Sequence, residues 1–257
     1  MESLKDFVLN NKYLIAGHRG SSGTAPENTL SSFSEAIAAG ANMVEVDVQI
    51  TRDNQIVAFH DARLERTSNG LGFLVEQDID SLRSLDAGSW FNAKYNGEQI
   101  PTLDEVIELT RGKVYLNIEA KSRKFAKIDE KVYSILKRIE YYDLVDYVLF
   151  SSFDYVLLKV IKEYNPNIPT AAIRIPGDTT PASVLKKEVF CDAFVCAVEE
   201  LSDDISQDCK KNKIIIGVYS VDDDKQLDIA LRYDVKAIVT NFPDKINKLM
   251  IARGLIK

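Results

Sequence analysis

Two carboxylates one residue apart, Glu45 and Asp47, open the stretch EVDVQITRDNQIVAFHD, and a histidine followed by an acid, His60 and Asp61, closes it. Alternate residues of a strand share a face, so Glu45 and Asp47 point the same way. A lone acid pair on a buried face repels itself unless a cation sits between its members. Between the two ends, TRDNQ is a turn of a few residues. A parallel return needs a dozen or more, so the flanking segments pair antiparallel and His60 folds back toward the acids. The expected chemistry is a metal site with a histidine above it.

The elements that must position these residues follow a regular alternation. Eight β-rich runs lie near 13–18, 43–48, 114–120, 147–152, 170–175, 193–198, 214–221 and 237–240. Helical patterns separate them at 27–39, 103–110, 125–140, 154–164, 181–188, 203–211 and 223–232, with a last one at 243–253. Such alternation implies parallel strands, and eight units predict an α/β fold, a closed (β/α)8 TIM barrel. An open doubly wound sheet would carry a glycine-rich phosphate turn, and no GxGxxG or P-loop pattern is present. The run at 55–60 is antiparallel to its predecessor and so opens a small insertion subdomain after the second barrel strand, over about 51–101. Residues 1–257 are read as one barrel domain carrying it.

Barrel enzymes build their sites at the carboxyl ends of the strands. His18 and Arg19 end the first strand, Glu45 and Asp47 the second, Glu119 and Lys121 the third. Three acids supply hard oxygen ligands suited to one divalent cation, Mg²⁺ or Ca²⁺, leaving positions for water and substrate. His18 and His60 are the chain's two histidines, and both fall here. With Arg19 and Lys121 they suit an anion such as phosphate, one histidine accepting a proton and the other giving one. Thr24 and Glu27 have capping-box spacing, with a place near the site as the other reading. Ser151, Ser152, Arg174, Tyr219 and Asn241 stand at other strand ends, Asp53 belongs to the turn, and Asp222 to Asp224 suit a helix cap.

The bulk composition narrows the function classes. The chain has 257 residues, 46% of them apolar, enough for a large core, and a net charge of −7, which argues against nucleic acid or an anionic membrane as main partner. No apolar run approaches a membrane span, and the amino terminus lacks a signal-peptide core, so the expectation is a cytoplasmic protein without stable membrane insertion. Cys191, Cys196 and Cys209 lack metal-ligand spacing and fit reduced core positions.

HRG at 18–20, PENT at 26–29, EVDVQITRD at 45–53, HD at 60–61 with RLERT following, IPTLDEV at 100–106, NIEAK at 117–121, SSFD at 151–154 and VTNFPD at 239–244 stand in the order found in one family. Over nearly its whole length the chain resembles the glycerophosphodiester phosphodiesterase family. The resemblance implies a barrel with an insertion after the second strand, metal ligands Glu45, Asp47 and Glu119, and an acid–base pair His18 and His60. It makes Arg19 and Lys121 the phosphate contacts. The implied reaction is metal-dependent hydrolysis of a small glycerophosphodiester to sn-glycerol 3-phosphate and an alcohol. Related barrels suggest that a glycerol hydroxyl attacks phosphorus first, giving a cyclic phosphate that water opens, with His18 as base and His60 as acid in the first step. Tyr219 stands where the family often has tryptophan and is a candidate wall for the substrate; Arg174 stands where apolar residues are common.

Three rival readings use the same residues differently. A phospholipase-type activity on lysophospholipids or other phosphodiesters keeps the catalytic set but needs an apolar path for the acyl chain. An idle scaffold barrel predicts loss of a member of that set. A metal-dependent isomerase or aldolase barrel has no need of HRG beside a folded-back HD.

Overall fold

The computed structural model describes residues 1–121 and 128–256. Nine strands form one sheet: β1 (Leu14–Gly17), β2 (Met43–Ile50), β3 (Ile56–Ala58), β4 (Tyr115–Ala120), β5 (Val148–Ser152), β6 (Thr170–Ile173), β7 (Ala193–Ala197), β8 (Ile215–Tyr219) and β9 (Val235–Thr240). Their order is β1-β9-β8-β7-β6-β5-β4-β2-β3, and β1 also pairs with β2, which closes eight parallel strands into a barrel. β3 lies outside that ring, antiparallel to β2 with Val48 opposite Ala58 and Ile50 opposite Ile56. The short turn thus does what its length requires, with Asn54 in the left-handed region at φ 62°.

The helices are α1 (Leu4–Asn10), α2 (Leu30–Ala38), α3 (Ile79–Arg83), α4 (Leu103–Thr110), α5 (Ile128–Tyr141), α6 (Tyr155–Tyr164), α7 (Ala182–Val189), α8 (Asp203–Asn212), α9 (Asp224–Arg232) and α10 (Pro243–Ala252). Local signals set their ends. Thr102 and Glu105 form a reciprocal capping box on α4, and Asp154, Ser202 and Asp223 cap α6, α8 and α9 through side-chain acceptors. Such a cap is typically worth about 1 kcal/mol. Residues 125–127 of the helix expected at 125–140 lie outside the described residues. Two expectations need correction. The cap of α2 is Thr29, which accepts from the Ser32 amide, while Thr24 instead donates to the Glu35 carboxylate. And β9 starts at Val235, which pairs with Ile216 of β8, where the polar Lys236 had hidden the apolar run; its ammonium group bonds the Asn11 carbonyl.

Two layers of apolar residues hold the ring. Outward-facing side chains such as Val44, Val46, Ile118 and Phe150 pack against the helices. The inward face carries Leu14, Ala16, Met43, Tyr115 and Val239, and α1 sends Leu4 into that cluster, with Phe7 and Val8 packed beside it. The Tyr115 hydroxyl donates to the Glu2 carbonyl at 2.9 Å, tying the amino-terminal segment across the end of the barrel. Between β3 and α4 the chain builds a separate small cluster from Val57, Phe59, Leu64, Leu74, Leu82, Ala87 and Ile100. All three cysteines are free and buried, with burial raising the Cys196 and Cys209 thiols to about 12. Among the described residues, no helix is long and apolar enough to cross a membrane.

Candidate active site

The inward face of β2 presents Met43, Glu45, Asp47 and Gln49 in turn, as strand periodicity demands. On β4 the register sets Asn117 beside Glu45 and Glu119 beside Asp47. The result is a cluster of three buried acids, Glu45, Asp47 and Glu119, with one carboxylate oxygen from each lying within 4.8 Å of the others. Their relative exposures are 3%, 1% and 8%, so water screens the charges poorly.

Two cations and an amide answer part of that charge. Lys121 sits 2.7 Å from Asp47 and also contacts Glu119; Arg19 lies 3.2 Å from Asp47 through Nε. Asn28 donates to Asp47 Oδ2 at 2.8 Å and accepts the Asp47 amide at 3.1 Å, a two-way grip that uses its left-handed backbone at φ 57°. Burial would raise Asp47, but Lys121 and Arg19 outweigh it and hold the carboxyl below its usual range. Glu45 goes the other way: burial, then Asp47 and Glu119, push it well above. Glu119 is raised as well, by burial and then Asp47. Glu45 Oε2 accepts the Arg19 amide at 2.7 Å, whereas Oε1 is buried without a hydrogen-bond partner. An orphaned carboxylate oxygen facing two further acids is what a divalent cation satisfies, so the donor set fits a hard ion held by oxygen.

The turn after β1 is built to aim His18 and Arg19. Arg19 and Gly20 both take positive φ, 54° and 83°, and a Cβ on Gly20 would stand 2.3 Å from the Ser32 hydroxyl, so no larger residue fits. His18 Nδ1 lies 2.8 Å from Asn241 Oδ1. Asn241 in turn donates its side-chain NH₂ to Asp222 at 2.6 Å, which fixes Oδ1 as the acceptor toward histidine. The His18 proton therefore belongs on Nδ1, and Nε2 keeps its lone pair. Burial and then Arg19 lower His18 from its ordinary value.

His60 arrives from the other side. Phe59 donates its amide to the Asp47 carbonyl at 2.9 Å, and Gln49 donates to the carbonyls of Phe59, His60 and Asp61, so the returning strand is laced onto β2. His60 Nδ1 lies 2.5 Å from Asp61, which Arg66 hydrogen bonds hold down at about 2. The acid is thus ionised and accepts, again leaving Nε2 without a partner among the described residues. Burial lowers His60, opposed first by the Asp47 charge.

One residue ties the two sides together. Arg66 bonds both oxygens of Glu27 at 2.7 Å and both oxygens of Asp61 at 2.5 and 3.0 Å, while Glu27 accepts from Arg19 at 2.8 Å. Sequence reasoning missed this clamp, and missed that Asp222 grips Asn241 while its neighbour Asp223 caps the helix. The only signals were RLERT and PENT, read as parts of motifs. Tyr219 ends β8, half-buried, its hydroxyl raised to about 12 by burial and by Glu200 and Glu119. Arg174 is turned onto its own loop, donating to the Asp178 carbonyl at 2.6 Å, with Glu200 at 3.9 Å.

The chain is similar to known proteins over most of its length. The profile of the glycerophosphoryl diester phosphodiesterase family matches residues 18–245. A glycerophosphodiester phosphodiesterase of Caldanaerobacter subterraneus subsp. tengcongensis is 33% identical over 249 residues, 95% of this chain and 100% of that one. One of Bacillus altitudinis is 30% identical over 241 residues, 91% and 97% of the two chains. Among solved structures, an Oleispira antarctica phosphodiesterase in complex with the product sn-glycerol-3-phosphate superposes with a TM-score of 0.85 at 28% identity, covering 93% of this chain and 96% of that one. The chain belongs to the glycerophosphoryl diester phosphodiesterase family and is a phosphoric diester hydrolase.

Proposed function

We propose that this enzyme hydrolyses water-soluble glycerophosphodiesters to sn-glycerol 3-phosphate and an alcohol, with His18 and His60 as its acid–base pair. The observation that carries this is the pair of histidines, each tied through Nδ1 and each without a partner at Nε2 among the described residues, set about a buried cluster of three acids. Glu45, Asp47 and Glu119 would hold one divalent cation, Mg²⁺ or Ca²⁺, which when bound neutralises phosphate charge and orients the diester. Arg19 and Lys121, both against Asp47, add positive charge where the phosphate would be drawn. Tyr219 would form part of the wall beside the glycerol or head group. Residues 1–257 act in this reading as one barrel unit, the segment about 51–101 being the insertion that delivers His60.

His18 is best suited to be base in the first step. Burial lowers both histidines; the strongest influence after it is Arg19 on His18, which disfavours the protonated form, and Asp47 on His60, which favours it. His18 Nε2 takes the proton of a glycerol hydroxyl as its oxygen bonds phosphorus; the ester bond to the head group breaks and His60 returns a proton to the departing alcohol. In the second step the roles exchange as water opens the cyclic phosphate, so two protons are taken and two returned.

A panel of glycerophosphocholine, glycerophosphoethanolamine and a lysophospholipid tests the substrate assignment. The expected result is release of sn-glycerol 3-phosphate from the first two; a strong preference for the lipid overturns it. The clamp makes a separate prediction. Arg66→Met should lower kcat about 10²-fold with KM little changed, since misplacing a reacting group by about 1 Å costs that much. Steady-state kinetics on a variant with a native circular dichroism spectrum checks it, and wild-type kcat would remove Arg66 from the positioning of His60.

A further inference from the structure

Beside the three acids, the inward face of the barrel carries two polar groups that the mechanism does not use. Asn117 stands next to Glu45 in the β2–β4 register, and Ser151 stands next to Glu119 in the β4–β5 register. Both alternate with interior apolar residues, Asn117 with Tyr115 and Ser151 with Leu149, so both side chains face into the barrel. They are 8% and 1% exposed, and Asn117 Oδ1 and Ser151 Oγ are buried without a hydrogen-bond partner. Glu45 Oε1, on the residue paired with Asn117 across β2 and β4, is in the same condition.

Unpaired polar atoms are expensive in a protein interior, typically about 1–3 kcal/mol each, and three on adjoining rungs call for a common partner. Among the described residues no donor supplies it: Lys121 and Arg19 are engaged with Asp47, Glu119 and Glu27. An ion held by three carboxylates keeps water in its remaining positions, and such water, polarised by the ion, is a strong donor. An amide carbonyl and a hydroxyl are the acceptors it needs.

We propose that Asn117 and Ser151 flank the cation site, each accepting a hydrogen bond from water bound to the ion. They thereby set cation affinity without ligating directly. This rests on the reading of Glu45, Asp47 and Glu119 as the cation's ligands. Glu45, whose Oε1 shares the layer, would be oriented by the same water.

Calorimetric titration of the chelator-treated protein with Ca²⁺ alone and with Mg²⁺ alone, compared with Asn117→Ala and Ser151→Ala, tests it. Outer partners of metal sites typically change affinity about 10- to 100-fold, and a weakening in that range is expected for Asn117→Ala, with a smaller loss for Ser151→Ala. Ser151→Ala removes one atom and keeps the test available if Asn117→Ala does not fold. Wild-type affinity in a folded variant overturns that residue's role. Failure of the wild-type protein to bind either ion is a different result: it overturns the ligand assignment and this inference with it.

Discussion

His18→Ala and His60→Ala each lower kcat by about 10²- to 10⁴-fold while the barrel stays folded. The range is what one positioned proton-transfer group typically contributes, about 3 to 5 kcal/mol of barrel-enzyme activation free energy. Each imidazole is held by a single side-chain bond at Nδ1, so alanine removes the proton carrier with little of the core. Single-turnover measurement of sn-glycerol 3-phosphate release, with circular dichroism as the folding control, checks both. Near-wild-type rates in either variant remove its histidine from the mechanism. The pH profile adds a sign. Because His18 is lowered below its ordinary value of 6.5, the neutral base persists to more acidic pH than a free histidine would. The acid limb of kcat/KM in the wild-type enzyme is expected below pH 6.5, and it should vanish in His18→Ala.

Chelation is expected to bring turnover to the buffer rate, and added Mg²⁺ or Ca²⁺ to restore it. Three acids with oxygens within 4.8 Å of one another are costly to keep ionised, as the raised Glu45 and Glu119 show. For both, the folded protein holds protons more tightly than the unfolded chain. Their contribution to stability is present below the ordinary glutamate value and lost as pH rises through the folded one. A bound divalent cation reverses that preference, so binding releases protons and weakens as pH falls. Stability follows affinity: at a concentration about 100 times Kd, an ion binding only the folded state adds about 2.7 kcal/mol. Thermal unfolding with and without the ion, read beside activity, checks the prediction. Full activity after exhaustive chelation overturns the metal assignment.

The parts of this site that sequence made legible are those governed by short-range geometry. Strand alternation alone pairs Glu45 with Asp47, and the brevity of the turn before Gln55 forces His60 back over them. Glu119 was legible as a strand end, because parallel strands in a barrel bring their carboxyl ends together. What escaped depends on loops meeting in space. Nothing local distinguishes Arg66, in an exposed loop, from any solvated arginine, and its four bonds exist only because Glu27 and Asp61 converge on it. Asp222 and Asp223 are adjacent acids before the same helix, yet one caps it and the other orients Asn241. The helix α1 was missed because seven residues are too few to show a period, and its role lies in a contact with strands far along the chain.

That first helix decides how molecules travel. With Leu4 packed into the inward cluster and Tyr115 bonded to Glu2, the amino-terminal segment covers the end of the ring where the strands begin, and the acids lie toward the other end. In the proposed reaction, substrate and both products would use that uncovered end, past the same histidines. Release of one cargo is therefore a condition for admitting the next, and any product that lingers competes directly with fresh diester for the site.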